Sequence, residues 1–305
     1  MNTARYKECK DKVVSNVSKV IVGKSDIINL ALVAFICSGH VLLEDVPGTG
    51  KTMLLRAFAK TMGGGFTRVQ FTPDLLPSDL TGIHFYNQKT SDFEFRPGPL
   101  FANMVLGDEI NRATPRTQSA MLEAMGEGQI TVDGITMKLE EPFMVMATQN
   151  PIESYGTFPL PEAQLDRFMM RLSLGRINRE DEKNVIARAS TINIVEDLTQ
   201  QLTAEDIRFL KTEYLKVTMK PDVLDYLMDI IEKTRTSATD GVSTRGATLL
   251  YKGAQAFAAL DGRDYVLPED VKYLAAPILQ HRLPSVNANS FKHTIESVAV
   301  PLEEV

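Results

Sequence analysis

Lys51 and Thr52 close a loop, Asp45-Val-Pro-Gly-Thr-Gly-Lys-Thr52, that runs out of an apolar stretch at 41–43 and into a helix-forming run at 53–60. These residue types suit the binding of a nucleoside triphosphate. Glycines at 48 and 50 let backbone N–H groups curl around phosphate oxygens, the Lys51 ammonium can reach the β and γ oxygens, and the Thr52 hydroxyl can hold Mg²⁺. The candidate nucleotide-binding set here is Pro47, Gly48, Thr49, Gly50, Lys51, Thr52 and Met53, with Thr52 also a metal ligand. One position departs from the strict pattern: Asp45 stands where the first glycine is expected.

A second constellation is Met104-Val-Leu-Gly-Asp108-Glu109, an apolar run that delivers two carboxylates to the end of a buried strand. Asp108 could hold the Mg²⁺ shell, and Glu109 could orient and deprotonate an attacking water. By itself the pair reads as well as a solvated acidic strand end; together with the Lys51 loop it reads as a phosphate site. The run Phe143-Met-Val-Met-Ala-Thr-Gln-Asn150-Pro151 carries an amide to the same edge. Asn150 could bond the lytic water or the γ-phosphate, or could be the turn residue that Asn-Pro commonly supplies. Two arginines complete the set. Arg167 follows a proline-rich turn, Phe158-Pro-Leu-Pro-Glu162, and Arg245 follows Ser243 and Thr244 at a helix start. An arginine there opposes the helix dipole. A γ-phosphate would compensate it; otherwise it is an ordinary surface arginine.

The elements that must position these groups alternate. Strand-like runs at 41–44, 66–71, 103–107 and 143–148 are separated by helical patterns, after two N-terminal helices broken near Gly23. This predicts an α/β core with a mostly parallel sheet, helices on both faces, and ligands at the carboxyl ends of the strands. Two hairpins interrupt it. One joins 84–87 to 93–96; the other turns at Asp133-Gly134 between alternating strands, a type I′ signal. They serve either as partner surfaces or as cover for the sheet edge. Between them Thr114 is placed to cap a helix with Pro115 at its first position. After Arg179 the composition turns polar, and helical spacing recurs near 204–216, 220–235, 244–260 and 268–280. The expected organisation is a nucleotide-binding domain over 1–178 with a short N-terminal helical segment, a polar linker over 179–203, and an all-α lid over 204–305.

With 305 residues, 44% hydrophobic and 24% charged, the composition is that of a globular protein. The formal net charge of −6, with no dense basic run, argues against sequence-independent nucleic-acid binding. Cys9 and Cys37 are isolated and have no metal-ligand spacing. The longest apolar run, 30–37, is too short for a bilayer, and no apolar core follows the N-terminal charges. A cytoplasmic protein without stable membrane insertion is expected.

The motifs together closely resemble the MoxR family of AAA+ ATPases. They are the 39–52 segment, Gln70-Phe-Thr-Pro-Asp-Leu-Leu-Pro-Ser-Asp79, Phe95-Arg-Pro-Gly-Pro99, Asp108-Glu-Ile-Asn-Arg-Ala113, Ala147-Thr-Gln-Asn-Pro-Ile-Glu153 and Pro159-Leu-Pro-Glu-Ala-Gln-Leu-Asp-Arg-Phe168. The resemblance extends over roughly 20–282, and Asp45 is compatible with it. It implies an AAA+ P-loop core followed by a helical lid, with ATP and Mg²⁺ as cofactors. Lys51 and Thr52 match the nucleotide loop, Asp108 and Glu109 the metal and water-activating pair, Asn150 the first sensor and Arg245 the second. Arg167 matches an arginine finger acting on the neighbouring subunit, which implies a ring homo-oligomer, a hexamer by expectation. Val22 and Gly23 match the segment that packs near adenine, and the hairpins match inserts that couple ATP state to partners. The implied activity is remodelling or maturation of partner protein complexes, including von Willebrand factor A domain proteins.

Two other readings compete with such an ATPase. A nucleic-acid motor of the related helix-2-insert clade would share this core, but Lys138 is the only cation in the second hairpin. A non-catalytic scaffold would be expected to have lost a catalytic position, and Lys51, Thr52, Asp108, Glu109, Asn150, Arg167 and Arg245 are all intact. The guanine-selective Asn-Lys-x-Asp motif is absent, which favours ATP over GTP.

Overall fold

The computed structural model describes residues 2–45, 48–149, 156–188, 195–237, 241–283 and 285–301. Two helices, α1 (Thr3–Val17) and α2 (Ser25–Ile36), precede β1 (Val41–Glu44), α3 (Lys51–Met62), β2 (Phe66–Gln70) and the short α4 (Pro77–Thr81). The hairpin β3 (Gly82–Asn87) and β4 (Asp92–Pro97) leads to β5 (Met104–Asp108) and α5 (Pro115–Glu127). A second hairpin, β6 (Gln129–Val132) and β7 (Ile135–Lys138), leads to β8 (Met144–Gln149), α6 (Glu162–Leu165) and β9 (Met170–Leu172). All later elements are helices: α7 (Arg179–Arg188), α8 (Ala204–Glu213), α9 (Pro221–Ser237), α10 (Thr244–Leu260), α11 (Pro268–Leu279) and α12 (Ala288–Glu296).

The five core strands form one parallel sheet in the order β2-β5-β8-β1-β9. Alternate residues of the three central strands, β5, β8 and β1, enter two separate apolar clusters. Leu43, Leu106 and Met146 face α1, α2 and α3, whereas Leu42, Val105 and Val145 face the α5 side. Burial on both faces is why these strands read as continuous apolar runs rather than as alternation. Each fully buried Leu or Val contributes roughly 1.5–3 kcal/mol, so the sheet can hold polar groups rigidly at its carboxyl edge. The register aligns that edge: Gln70 sits opposite Asp108, and Glu44 opposite Gln149.

Several expectations are refined. The fifth strand, β9, was not anticipated: Met170-Arg-Leu is too short to show a period. The segment from Arg179 to Arg188, expected as polar linker, is helical, and α12 lies beyond the last expected helix. Thr114 does precede α5, and Pro115 opens it, but the Thr114 side chain makes no cap bond; its hydroxyl meets that of Thr117 at 3.3 Å. The Asp133-Gly134 turn has positive φ at both residues, as type I′ geometry demands. In the helical region, α10 lies across α11 at close range: a Cβ on Gly253 would meet Ile278 at 2.9 Å and Met169, just before β9, at 3.3 Å. Among the described residues no helix is long and apolar enough to cross a membrane.

Candidate functional site

The loop between β1 and α3 is built around two left-handed glycines. Gly48 has φ 84° and Gly50 φ 93°, and a Cβ at Gly48 would find nothing within 4 Å. Left-handed backbone costs a residue with a Cβ about 1–2 kcal/mol, so glycine is the natural occupant. The open space leaves the amides at the start of the twelve-residue α3 accessible to an anion. Lys51 Nζ donates to the Asp45 carbonyl oxygen at 3.0 Å. Thr52 is half-buried and Met53 exposed. Pro47 lies outside the described residues.

Asp45 explains its departure from the glycine pattern. It is buried, and its carboxylate accepts bonds from Ser173 Oγ at 2.8 Å and from the backbone N–H groups of Leu174 and Gly175. The loop's first residue is thus strapped to the segment leaving β9. Val22 and Gly23 flank the same place. Gly23 has φ 71°, and a Cβ there would collide with Asp181 of α7; Ile21 reaches to 3.9 Å from where a Cβ on Gly50 would lie. Lys24 Nζ donates to the Arg176 carbonyl at 2.8 Å, so the 21–24 segment and the chain after β9 close one flank of the loop.

At the end of β5, Thr148 joins the two carboxylate residues. Its hydroxyl donates to Asp108 Oδ1 at 2.7 Å and accepts from the Glu109 backbone N–H at 2.8 Å. Glu109 is in left-handed backbone, φ 58°, which turns it away from the strand axis. Arg68 of β2 donates to the other Asp108 oxygen at 2.7 Å, while Gln70 Nε2 and Arg112 hold Glu109 Oε2 at 2.8 and 3.0 Å. Both carboxylates are therefore engaged by β2 and by the turn after β5. Thr148, Arg68, Gln70 and Arg112 were not assigned by sequence reasoning. Gln70 lay within a recognised motif, and Thr148 sat two residues before Asn150. Asn150 itself lies outside the described residues.

The arginines occupy different settings. Arg245 is the second residue of α10, behind Ser243, whose hydroxyl accepts from the Gly246 N–H at 3.2 Å. Its side chain is exposed, so an anionic partner can be accommodated. Arg167 lies back on α5: its guanidinium donates to the Leu122 carbonyl and sits where a Cβ on Gly126 would be. Asp166, the carboxylate next to Arg167 in the chain, is bound to Arg282 at 2.8 Å. That arginine was missed, because a cation after a helix C-terminus ordinarily reads as a solvated, dipole-matched charge. Its side chain is only 3% exposed.

His40, at the entry to β1, is a buried strut. The Val145 N–H donates to its Nδ1 at 3.0 Å, so Nε2 carries the proton and donates to the Met125 carbonyl, also at 3.0 Å. Burial holds its pKa down to about 4.

These features agree with three comparisons. The model of the ATPase family associated with various cellular activities (AAA) matches residues 40–170, and that of the AAA lid domain matches 232–302. The protein YeaC of Bacillus subtilis is 53% identical over 89% of this chain and 86% of its own length. Chaperone MoxR1 of Mycobacterium tuberculosis is 37% identical over 90% of this chain and 75% of its own, and protein MoxR of Paracoccus denitrificans 31% over 87% and 85%. A crystal structure of a protein assigned as an ATPase, from Cytophaga hutchinsonii, superposes with a TM-score of 0.89 at 40% identity, covering 97% of this chain and 96% of that one. An AAA domain with a parallel sheet, a helical lid and relatives of this extent place the protein plainly: the chain belongs to the MoxR family of AAA+ ATPases.

Proposed function

We propose that the protein hydrolyses ATP in a ring of identical subunits and uses the cycle to remodel partner protein complexes. One observation carries the catalytic part: the parallel register brings the loop after β1 and the carboxylates at the end of β5 to one sheet edge, where Thr148 bonds both Asp108 and the Glu109 backbone. The open left-handed cradle and the carboxylate with a hydroxyl beside it fit a triphosphate and its cation. In this reading Gly48, Thr49, Gly50, Lys51 and Thr52 bind the phosphates, with Pro47 and Met53 flanking them and Val22 and Gly23 near the base. Thr52 and Asp108 would hold Mg²⁺, which when bound neutralises charge developing on the phosphates.

The protein's own groups then divide the work. Lys51 leaves the Asp45 carbonyl for the phosphates. Glu109 accepts the proton of the attacking water once it is released from Gln70 and Arg112, and Asn150 orients that water. Arg245 meets the γ-phosphate from the lid. Arg167, released from Leu122, serves the site of the adjacent subunit. Exposed apolar side chains on both faces of the first hairpin, Tyr86 and Phe93 with rings 5.5 Å apart on one and Ile83 and Phe85 on the other, support protein clients over nucleic acid, since such surface suits a protein partner. Von Willebrand factor A domain proteins are the partners expected from the resemblance.

The test separates binding from chemistry. Lys51→Ala should lose tight binding of a fluorescent ATP analogue, whereas Glu109→Gln should bind it and release no phosphate. Equal loss of binding in both variants refutes the division of roles. For the ring, Lys51→Ala and Arg167→Ala subunits are each expected to be inactive alone and to recover phosphate release when mixed. Absence of recovery despite subunit exchange refutes trans action.

A further inference from the structure

We infer that Arg282 and Asp166 form a positioning clamp that sets the reach of Arg167 and couples it to the lid; the inference rests on the trans role of Arg167 above. The clamp is visible in the bonding of one guanidinium. Arg282 donates through Nε to Asp166 Oδ1 at 2.8 Å, and through a terminal nitrogen to the carbonyls of Asp166 at 3.2 Å and Phe168 at 2.7 Å. Its other nitrogen reaches the carbonyls of Met169, at 3.4 Å, and Ile278. The backbone is therefore held on both sides of Arg167 by a residue of the turn that follows the lid helix α11. His281 adds to the same joint, with Nε2 at 3.1 Å from the Phe168 carbonyl.

Asp166 also faces the other end of the lid. Its Oδ1 accepts from Ser243 Oγ at 3.3 Å, and Ser243 is the N-cap of the helix that presents Arg245 two residues later. One carboxylate thus touches the cap of the helix that offers Arg245 to its own site and the residue that brackets Arg167. A movement of the lid start toward a bound γ-phosphate pulls on Asp166, and through it on the backbone carrying Arg167. Packing alone does not require this arrangement. The ion pair between Arg282 and Asp166 is buried on the arginine side and 26% exposed on the carboxylate side. Taking a guanidinium out of water for such a pair confers little net stability over an apolar contact of similar shape, and this one spends five acceptors on one guanidinium beside the residue that must be placed.

The experiment uses the subunit mixture. Asp166→Ala is placed in the Lys51→Ala subunit, which donates Arg167, or alternatively in the Arg167→Ala subunit, which supplies the intact site. Misplacement of a catalytic group by about 1 Å can cost on the order of 100-fold. The expected result is a loss of ~10–100-fold when Asp166→Ala lies in the donating subunit, with much smaller loss when it lies in the site-bearing one. Nucleotide affinity of the site-bearing subunit, read with the fluorescent analogue, should stay within about threefold (well under 1.4 kcal/mol). Equal losses in the two placements, or none in either, overturn the clamp while leaving trans action intact. Failure of the undoped mixture to recover overturns trans action and the clamp together. If Asp166→Ala does not fold, Asp166→Asn, which keeps the acceptor oxygen and removes the charge, is tested in the same two placements with the same asymmetry expected, and equal losses again overturn the clamp.

Discussion

Restoring glycine at position 45 should damage this protein, although glycine is what the strict phosphate-loop pattern asks for. Asp45→Gly removes a buried carboxylate that accepts three hydrogen bonds, from Ser173 Oγ and from the N–H groups of Leu174 and Gly175. Hydrogen bonds to charged groups contribute about 1.5–3 kcal/mol each, and buried donors left without a partner cost about 1–3 kcal/mol. The Ser173 hydroxyl can rotate and Gly175 is half-buried, so water offsets part of the loss. That leaves the buried Leu174 amide and the lost strap as the main cost, for a net destabilisation of roughly 3 kcal/mol. At about 2–4 °C per kcal/mol for a chain of this size class, Tm should fall by ~6–12 °C in a calorimetric or circular-dichroism melt without nucleotide. Asp45→Asn should fall by a similar amount, because its amide presents N–H groups toward donors. A Tm within about 2 °C of the parent for both variants would falsify the account of Asp45 as a strap, at a resolution set by the same conversion.

Other expectations follow from neighbouring contacts. Thr148→Val removes the hydroxyl between Asp108 and Glu109 while preserving shape; phosphate release should drop roughly tenfold, the worth of about 1.4 kcal/mol, with ATP-analogue affinity little changed. An unchanged kcat would dismiss the bridge as incidental. His40 is kept neutral in the fold by burial, with its pKa lowered from 6.5 to about 4, so the unfolded chain binds a proton first. Its contribution is complete above pH 6.5 and is lost as pH falls toward 4, by up to about 3 kcal/mol. His40→Gln should flatten the slope of urea-unfolding stability between pH 6.5 and 4.5, and parallel slopes for the two proteins would exclude His40 as the source. DNA, single- or double-stranded, should neither bind below micromolar at physiological salt nor accelerate ATP turnover, given a net charge of −6; salt-sensitive stimulation would favour a nucleic-acid motor.

The catalytic candidates were legible because phosphate chemistry demands unusual types at fixed offsets: Gly48, Gly50 and Lys51 in one loop, adjacent carboxylates after an apolar run. The three central strands β1, β5 and β8 were legible for a related reason, since burial on both faces leaves continuous apolar runs such as Met144–Ala147, whereas β2, with one buried residue, showed only as a β-branched and aromatic stretch. What escaped notice depends on contacts between segments far apart in the chain. Strand β9 has three residues and takes its identity from pairing with Val41–Leu43. Arg282 looks like any cation after a helix until the chain at 166–169 is brought against it. Thr148 is one hydroxyl in an apolar strand, and only the register beside β5 gives it two partners. Asp45 looked like a flaw in a motif because its three donors lie well over a hundred residues downstream.

The strand order carries a consequence for how the chain is made. β1 lies between β8 and β9, with Val41 opposite Met146 on one side and Met170 on the other. On a growing chain the phosphate loop therefore emerges long before either neighbour of its strand exists, whereas β2 and β5 can pair as soon as Asp108 is free. Nucleotide has no finished cradle to stabilise until synthesis passes Leu172 and the Asp45 strap at 173–175 follows it. The ligand can thus reward only completed cores, and a shortened chain that keeps the whole glycine loop but stops before β8 retains the signature of the site without the sheet edge from which it works.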